Sequence, residues 1–337
     1  MTSPTTAHGI GAPVFLRRRA LLGLLGSHAL LFGPTSRAHA SDSSPFRIVV
    51  ATAPGGVPDV MARIIAQQIT QETGRAAIVE NKLGAAGALA AATVQNAPAD
   101  GTTMMLVEGG SYAIAPHLNK TSPFEDLAPV GLAATAPIFL CVNSQTGIGN
   151  FDQFVSYAKK NPGMAYGSSG SGSSHHLAME YLRSALKLDI THVPYKGAGQ
   201  AVLAVISGEV KAAFLGQSTA APHAATGKLR VLGIASVKRN TTLAPDIPTI
   251  AEVGGPAMDM PISIGAFAHS KTSARDLQVL NKQLGQATAS ATVRDRLAQL
   301  GIESSDRGMT PQQYAAMTKR EYEFYGEIVK SVKLKAE

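Results

Sequence analysis

Two hydrophobic periods alternate along this chain. Short apolar runs at 47–51, 76–79 and 102–107 read as buried strands, each bounded by Gly, Pro, Asn or Asp. Between the first two, Val60, Ile64, Ile65 and Ile69 recur at helical spacing behind Pro58, a residue suited to a first helical turn. An alanine-rich stretch ending near Asn96 predicts the next helix. Strand, helix, strand, helix in units of roughly 25 to 30 residues predicts an α/β fold with a parallel sheet. Two β segments broken near Pro137 follow, over 130–143, and lead into a second series. It predicts a helix over 151–160, a strand at 164–166, a helix from about Ser173, and strands near 190–193, 210–215 and 229–235, with one connecting helix at 199–206. A further strand at 262–269 precedes helices over 274–300, interrupted near Ser290, and 310–330.

Two α/β series without a linker predict two lobes around a ligand cleft. One comprises 41–142 and 262–337, the other 143–261, with crossings near residues 141–143 and 262–265. In open α/β sheets ligands sit at the carboxyl ends of the strands, where loops feed helices. The Ser/Gly run Ser169, Gly170, Ser171, Gly172 and Ser173 occupies such a place, just ahead of the helical spacing Leu177, Tyr181 and Leu182. A helix start leaves four backbone N–H groups unpaired and carries roughly half a positive charge. Glycines admit a ligand to the backbone, and serines add donors, so the run suits a carboxylate or phosphate. Pro54, Gly55 and Gly56, with Asp59 in the first helical turn, repeat the design, as do Gly84, Ala85, Ala86 and Gly87. Facing lobes would bring two such starts to one dicarboxylate.

Each position also has a structural reading. The Ser/Gly run reads equally as a flexible surface loop, Asp59 as compensation of the helix dipole, and Gly84 to Gly87 as close helix–sheet packing. His175 and His176 are adjacent, so on a helix they diverge by about 100° and make a poor metal pair. His176 is expected to hydrogen-bond across the loop or to ligand, and Tyr195 and Lys196 follow a strand end with a hydroxyl and a charge. The chain lacks G-x-S-x-G, G-x-x-x-x-G-K-[ST] and G-x-G-x-x-G, so neither a nucleophile elbow nor a nucleotide cofactor is expected. A secreted serine hydrolase using the Ser-rich loop and His176 is the alternative to a binding protein.

Composition adds an address. Arg17-Arg18-Arg19, the apolar run 20–32, Pro34 and Ala38-His39-Ala40 predict an export signal over 1–40, too short and interrupted to span a membrane. The paired arginines leave Sec and twin-arginine export both open. Cys141 is the only cysteine, so no intramolecular disulfide is possible. Four basic and no acidic residues precede Ser41, which reduces the net charge from +7 to +3 beyond it. The remaining basic residues are scattered, which argues against nucleic acid.

The motifs resemble, in order, those of the Bug-type solute receptors of tripartite tricarboxylate transporters. The first match is Ala53-Pro54-Gly55-Gly56 with Asp59, Ala62 and Arg63; the second is Val79-Glu80-Asn81 with Gly84-Ala85-Ala86-Gly87. Tyr166-Gly167-Ser168 through His176-Leu177 and His192-Val193-Pro194-Tyr195-Lys196-Gly197 continue the series, then Gly227 to Arg230, Arg239, and Pro248-Thr249 with Glu252 and Gly254. The resemblance implies a periplasmic, two-lobe, type II flytrap that binds a small organic carboxylate without a cofactor or metal and delivers it, as a monomer, to a permease of two membrane subunits. It implies that the loops at Pro54 to Asp59 and Gly84 to Gly87 grip one carboxylate and that the loop at 168–174 meets the other end of the ligand. Ser111 and Gln217 complete the expected ligand set. Three features depart from the family pattern: the chain has no tryptophan, Gly216-Gln217-Ser218 stands where an aspartate is frequent, and Glu108-Gly109-Gly110-Ser111 is unusual. The missing aspartate argues against an amino-acid ligand.

Overall fold

The computed structural model describes residues 44–334, apart from 53, 56, 85, 86, 120, 121, 123, 306, 307 and 333; the expected export signal lies outside the described residues. Strands β1 (Phe46–Val50), β2 (Ala77–Asn81) and β3 (Thr103–Glu108) alternate with helices α1 (Val57–Thr73) and α2 (Ala88–Gln95). A π-helical turn (Gly110–Ile114) runs into α3 (Ala115–Asn119), then β4 (Leu127–Ala136) and β5 (Ile138–Asn143). The second series is α4 (Phe151–Lys160), β6 (Met164–Ser168), α5 (Ser174–Leu186), β7 (Ile190–Pro194), α6 (Ala198–Ser207), β8 (Ala212–Gly216), α7 (Gln217–Ala225) and β9 (Leu229–Ile234). The chain finishes through β10 (Ile262–His269), α8 (Ala274–Ala289), α9 (Ala291–Gln299), β11 (Glu303–Ser304) and α10 (Pro311–Ser331).

Local chemistry accounts for most boundaries. Ile64, Ile65 and Ile69 of α1 are buried against the strands, as their spacing predicts. Ser290 ends α8 and, by accepting a hydrogen bond from the Val293 amide, caps α9, which explains the break in that helical stretch. Thr310 and Gln313 form a reciprocal capping box on α10. The segment after β9 is braced by Arg239, 2.9 Å from Glu252, whose carboxylate also accepts the Thr249 amide at 2.7 Å.

Two sheets result, in the orders β11-β4-β10-β3-β1-β2 and β7-β6-β8-β5-β9. Their cores run from Ile48, Met61 and Met105 under the first to Phe214 and Leu215 in the second. The expected parallel pairing holds for β1 with β2 and β3, while both sheets as a whole are mixed. β10 is antiparallel to β3 and β4, and β5 to β8 and β9. The physical reason is connectivity, because β5 and β10 are the strands by which the chain enters each sheet from the other and neither arrives over a βαβ crossover. The change of sheet falls at Pro137, between β4 and β5, so 138–143 pair wholly in the second sheet and the change precedes the boundary expected after residue 142. Cys141 is buried in β5, where burial pushes its thiol up to about 12, making it an unreactive core residue.

Candidate functional site

Two adjoining cavities open where the strand ends of both sheets meet. The larger, ≈ 430 Å³, is lined from the first sheet by Thr52 and Gly55 of the β1–α1 loop, Glu108 at the end of β3 and Ile262 at the start of β10. The second sheet answers with Ser169 and His175, then Gly197, Ala198 and Gly199 at the start of α6, and Gly216, Gln217, Ser218 and Thr219 at the start of α7. The smaller, ≈ 310 Å³, lies between Gly110, Ser111 and Leu118 on one side and the Ser/Gly loop on the other. Glu108, Ser169, His175 and Ile262 line both.

The Ser/Gly loop is held from within. Gly170 and Gly172 sit at φ +128° and +75°, conformations that side chains disfavour. The Gly170 amide donates to Ser168 Oγ at 3.1 Å, the Gly172 amide to His176 Nδ1 at 3.1 Å, and the Ser173 amide to Gly170 O at 3.2 Å. Ser173 Oγ, the N-cap of α5, accepts the His176 amide at 3.2 Å. Four amides expected to cradle a ligand are therefore already paired, so the loop offers the cavities hydroxyls and its remaining amides. His176 stacks on His192, centroids 3.6 Å apart, beneath the loop. It is a strut, whereas its neighbour His175 reaches the cavities.

The structure brings Gly55, Ser111, Ser169, Gly170, Ser171, Gly172, Ser173 and Gln217 to cavity walls. Gly56, Ala85 and Ala86 lie outside the described residues. Pro54, Asp59, Gly84, Gly87, His176, Tyr195 and Lys196 line neither cavity. Asp59 is buried, and its carboxylate accepts the Gly55 amide at 2.9 Å, Asn81 Nδ2 at 2.9 Å and Arg63 Nη2 at 2.9 Å. Burial raises its pKa, but these donors outweigh it, so the carboxyl titrates below its usual range. Gly87, at φ +95°, packs against Phe124 and Ser111, where a Cβ would come within 3.2 Å and 3.4 Å. Gly84 and Lys196 are exposed. The Tyr195 ring packs on Gly167 of β6, in the second core. Of the start of α7 the sequence reading includes only Gln217, and it does not include Thr52, His175 or the start of α6. Gly197-Ala198-Gly199 carried the same signal as the loops that were chosen, a small-residue turn from strand to helix. Gly301 and Ile302 carried none, because their side of the cavity is reached only through tertiary folding.

Among the described lining residues the only ionisable ones are Glu108 and His175, and none is a lysine or arginine. Burial pushes the Glu108 carboxyl up to about 6 and the His175 imidazole down to about 4. Ser169 Oγ is 2.8 Å from His175 Nδ1, while His175 Nε2 has no partner among the described residues. Thr52 Oγ1 and Gln217 Oε1, on residues lining the same cavity from its two sides, are also buried with no partner among the described residues. Among the described residues no group of three or more His, Cys, Asp or Glu is placed to hold a metal.

Two mixed α/β sheets with helix starts turned toward a shared polar cleft define a two-lobe solute-binding fold. The family model for the tripartite tricarboxylate transporter family receptor matches residues 61–334, and the chain belongs to that family. It is 30% identical to BugT of Bordetella pertussis over 290 residues, covering 85% of this chain and 88% of that protein. Its fold matches MatC of Rhodopseudomonas palustris with bound malate, at TM-score 0.74 and 29% identity, covering 85% of this chain and 98% of that one. It matches R. palustris Rpa4515 with adipate at TM-score 0.77 and 26% identity, covering 86% and 98%.

Proposed function

We propose that this protein is a periplasmic receptor that closes around a small organic carboxylate and delivers it, as a monomer, to the permease subunits of a tripartite tricarboxylate transporter. The observation that carries the reading is the set of buried polar atoms on residues lining one cavity from both sheets, Thr52 Oγ1, His175 Nε2 and Gln217 Oε1, none with a partner among the described residues. A buried polar group left unpaired costs about 1 to 3 kcal/mol, so three in one cavity mark a place built for a polar guest. Family membership, and the malate and adipate held by structural relatives, point to a carboxylate. Gly55, Ser111, Ser169, Ser171 and Gln217 are the contacts we assign, with Asp59 and His176 holding their loops in place. Hydrogen bonds to a charged group contribute about 1.5 to 3 kcal/mol each before desolvation, so neutral donors can hold a carboxylate without a paired cation. In this reading the sheets mark the lobes: 41–142 and 262–337 form one and 143–261 the other, except that 138–142 pair in the second sheet.

Native mass spectrometry of the purified protein, followed by calorimetry with the acid it carries, tests the proposal. Retention of a small carboxylate at one site per chain supports it, and failure of any carboxylate to bind sinks it. The Ser169–His175 contact favours a second reading, serine hydrolysis. An imidazole held near 4 is a weak base at neutral pH, and among the described residues no carboxylate pairs with its second nitrogen. Covalent labelling of Ser169 by a fluorophosphonate would reverse that preference.

A further inference from the structure

Glu108 is a carboxylate in a cleft read as a receptor for carboxylates. It ends β3, pairs through its backbone with Ile264 of β10, and turns its side chain to both cavities. Among the described residues that side chain has no hydrogen-bond or ion-pair partner, and burial alone governs its titration. Contrast Glu80, Glu180 and Glu252, which are matched by Arg47, Arg183 and Arg239. A glutamate with a purely structural role at a sheet end would be expected to have such a partner. Among the described lining residues the only other ionisable one is His175, kept neutral by burial, with one ring nitrogen held by Ser169 and the other without a partner among the described residues.

Resting on the carboxylate reading of the cleft, we propose that Glu108 selects among small carboxylates for those that also carry a hydrogen-bond donor, an ammonium, hydroxyl or amide N–H, placed to meet it. A guest with carboxylates alone would bring like charge against Glu108 in a confined space, and no lysine or arginine among the described lining residues would offset it. A donor turns that repulsion into a charge-assisted hydrogen bond. At neutral pH Glu108 is mostly ionised, so it accepts and does not donate. The expectation against an amino-acid ligand rests on Gln217 standing where an aspartate is frequent; in this proposal Glu108 supplies a carboxylate from the opposite wall.

The test is calorimetry on the purified protein with sets that share a skeleton: succinate, malate and aspartate; glutarate and glutamate; benzoate and para-hydroxybenzoate. In at least one set the donor-bearing member should bind about tenfold or more tighter than its donor-free partner, the range of one hydrogen bond to a charged group. In Glu108→Gln, close in shape and neutral, that ratio should fall to about threefold or less, with the donor-free acid gaining affinity. Glu108→Asp, which keeps the charge, should retain the order of preference, and circular dichroism of both variants separates lost selectivity from lost fold. Donor-free acids binding as tightly as their partners, or a preference that survives in Glu108→Gln, overturns the proposal and leaves the carboxylate reading standing. If no acid in any set binds, both fall together.

Discussion

Asp59 and His175 were both read too simply from their neighbours in sequence, and the structure shows why. Asp59 was weighed between dipole compensation and ligand contact, yet its carboxylate gathers the Gly55 amide, Asn81 and Arg63. Gly55 and Arg63, each four residues away, lie within the local pattern; Asn81 arrives through the β1–β2 pairing. Asp59→Ala strands the Gly55 and Asn81 donors, and denaturant unfolding should show a loss of about 2 to 3 kcal/mol. His175 was set aside in favour of His176 because which of two adjacent residues faces a cleft depends on the phase of the helix against the rest of the molecule. Its imidazole falls from 6.5 to about 4 in the folded protein. The unfolded chain therefore takes up a proton that the folded one refuses, and stability present above about pH 6.5 is lost as pH falls toward 4, by up to about 3 kcal/mol. Glu108 works in the opposite direction: its carboxyl rises from 4.5 to about 6, so stability declines as pH rises through that interval. His175→Gln should remove the first effect, shrinking the stability difference between roughly pH 7 and pH 4.5 by about 2 kcal/mol in urea titrations.

Among the elements, whatever is fixed by local chemistry was legible. The caps at Ser173, Ser290 and Thr310 and the apolar stripe of α1 follow from residues three or four apart, and they stand where the pattern puts them. The parallel direction of β1 to β3 was legible from their alternation with helices, but the antiparallel direction of β5 and β10 was not, because they look like any buried strand until their connections are known. The Ser/Gly loop lies between these cases: its place was legible, but its internal pairing of amides was not. A Cβ on Gly172 would meet Leu118 Cδ1 at 2.6 Å in a backbone conformation that already disfavours one. Gly172→Ala must then displace the Leu118 side chain, and its backbone strain at φ +75° should disturb the loop and the Gly172–His176 bond. Calorimetry should show ligand affinity weakened by about tenfold or more, the equivalent of one lost charge-assisted contact, while far-ultraviolet circular dichroism stays unchanged. Affinity equal to that of the parent protein would remove the Ser/Gly loop from the site.

At the scale of the molecule, the lobes already touch at two edges of the cleft. One contact is Gly172 against Leu118, with Gly110 close to Ser174. The other is Gly301, between α9 and β11, against Gln217 at the start of α7, where a Cβ would fall 2.5 Å from Gln217 Cβ. Flytrap closure buries a ligand by bringing such surfaces together, so the close approach at Gly301 is a condition of closing. Gly301 also has φ +69°, and replacing it costs about 1 kcal/mol for the backbone alone. Gly227 separates the two effects: it has φ +70° and nothing within 4 Å of an added Cβ. Gly227→Ala should therefore lower stability by about 1 kcal/mol and leave ligand affinity untouched. Gly301→Ala should carry the same backbone penalty and, in addition, hold the lobes apart at α7. Its affinity should drop by about tenfold, and small-angle scattering should show less contraction on ligand addition than in Gly227→Ala. Equal affinities in the two variants would mean that the Gly301–Gln217 contact plays no part in closure.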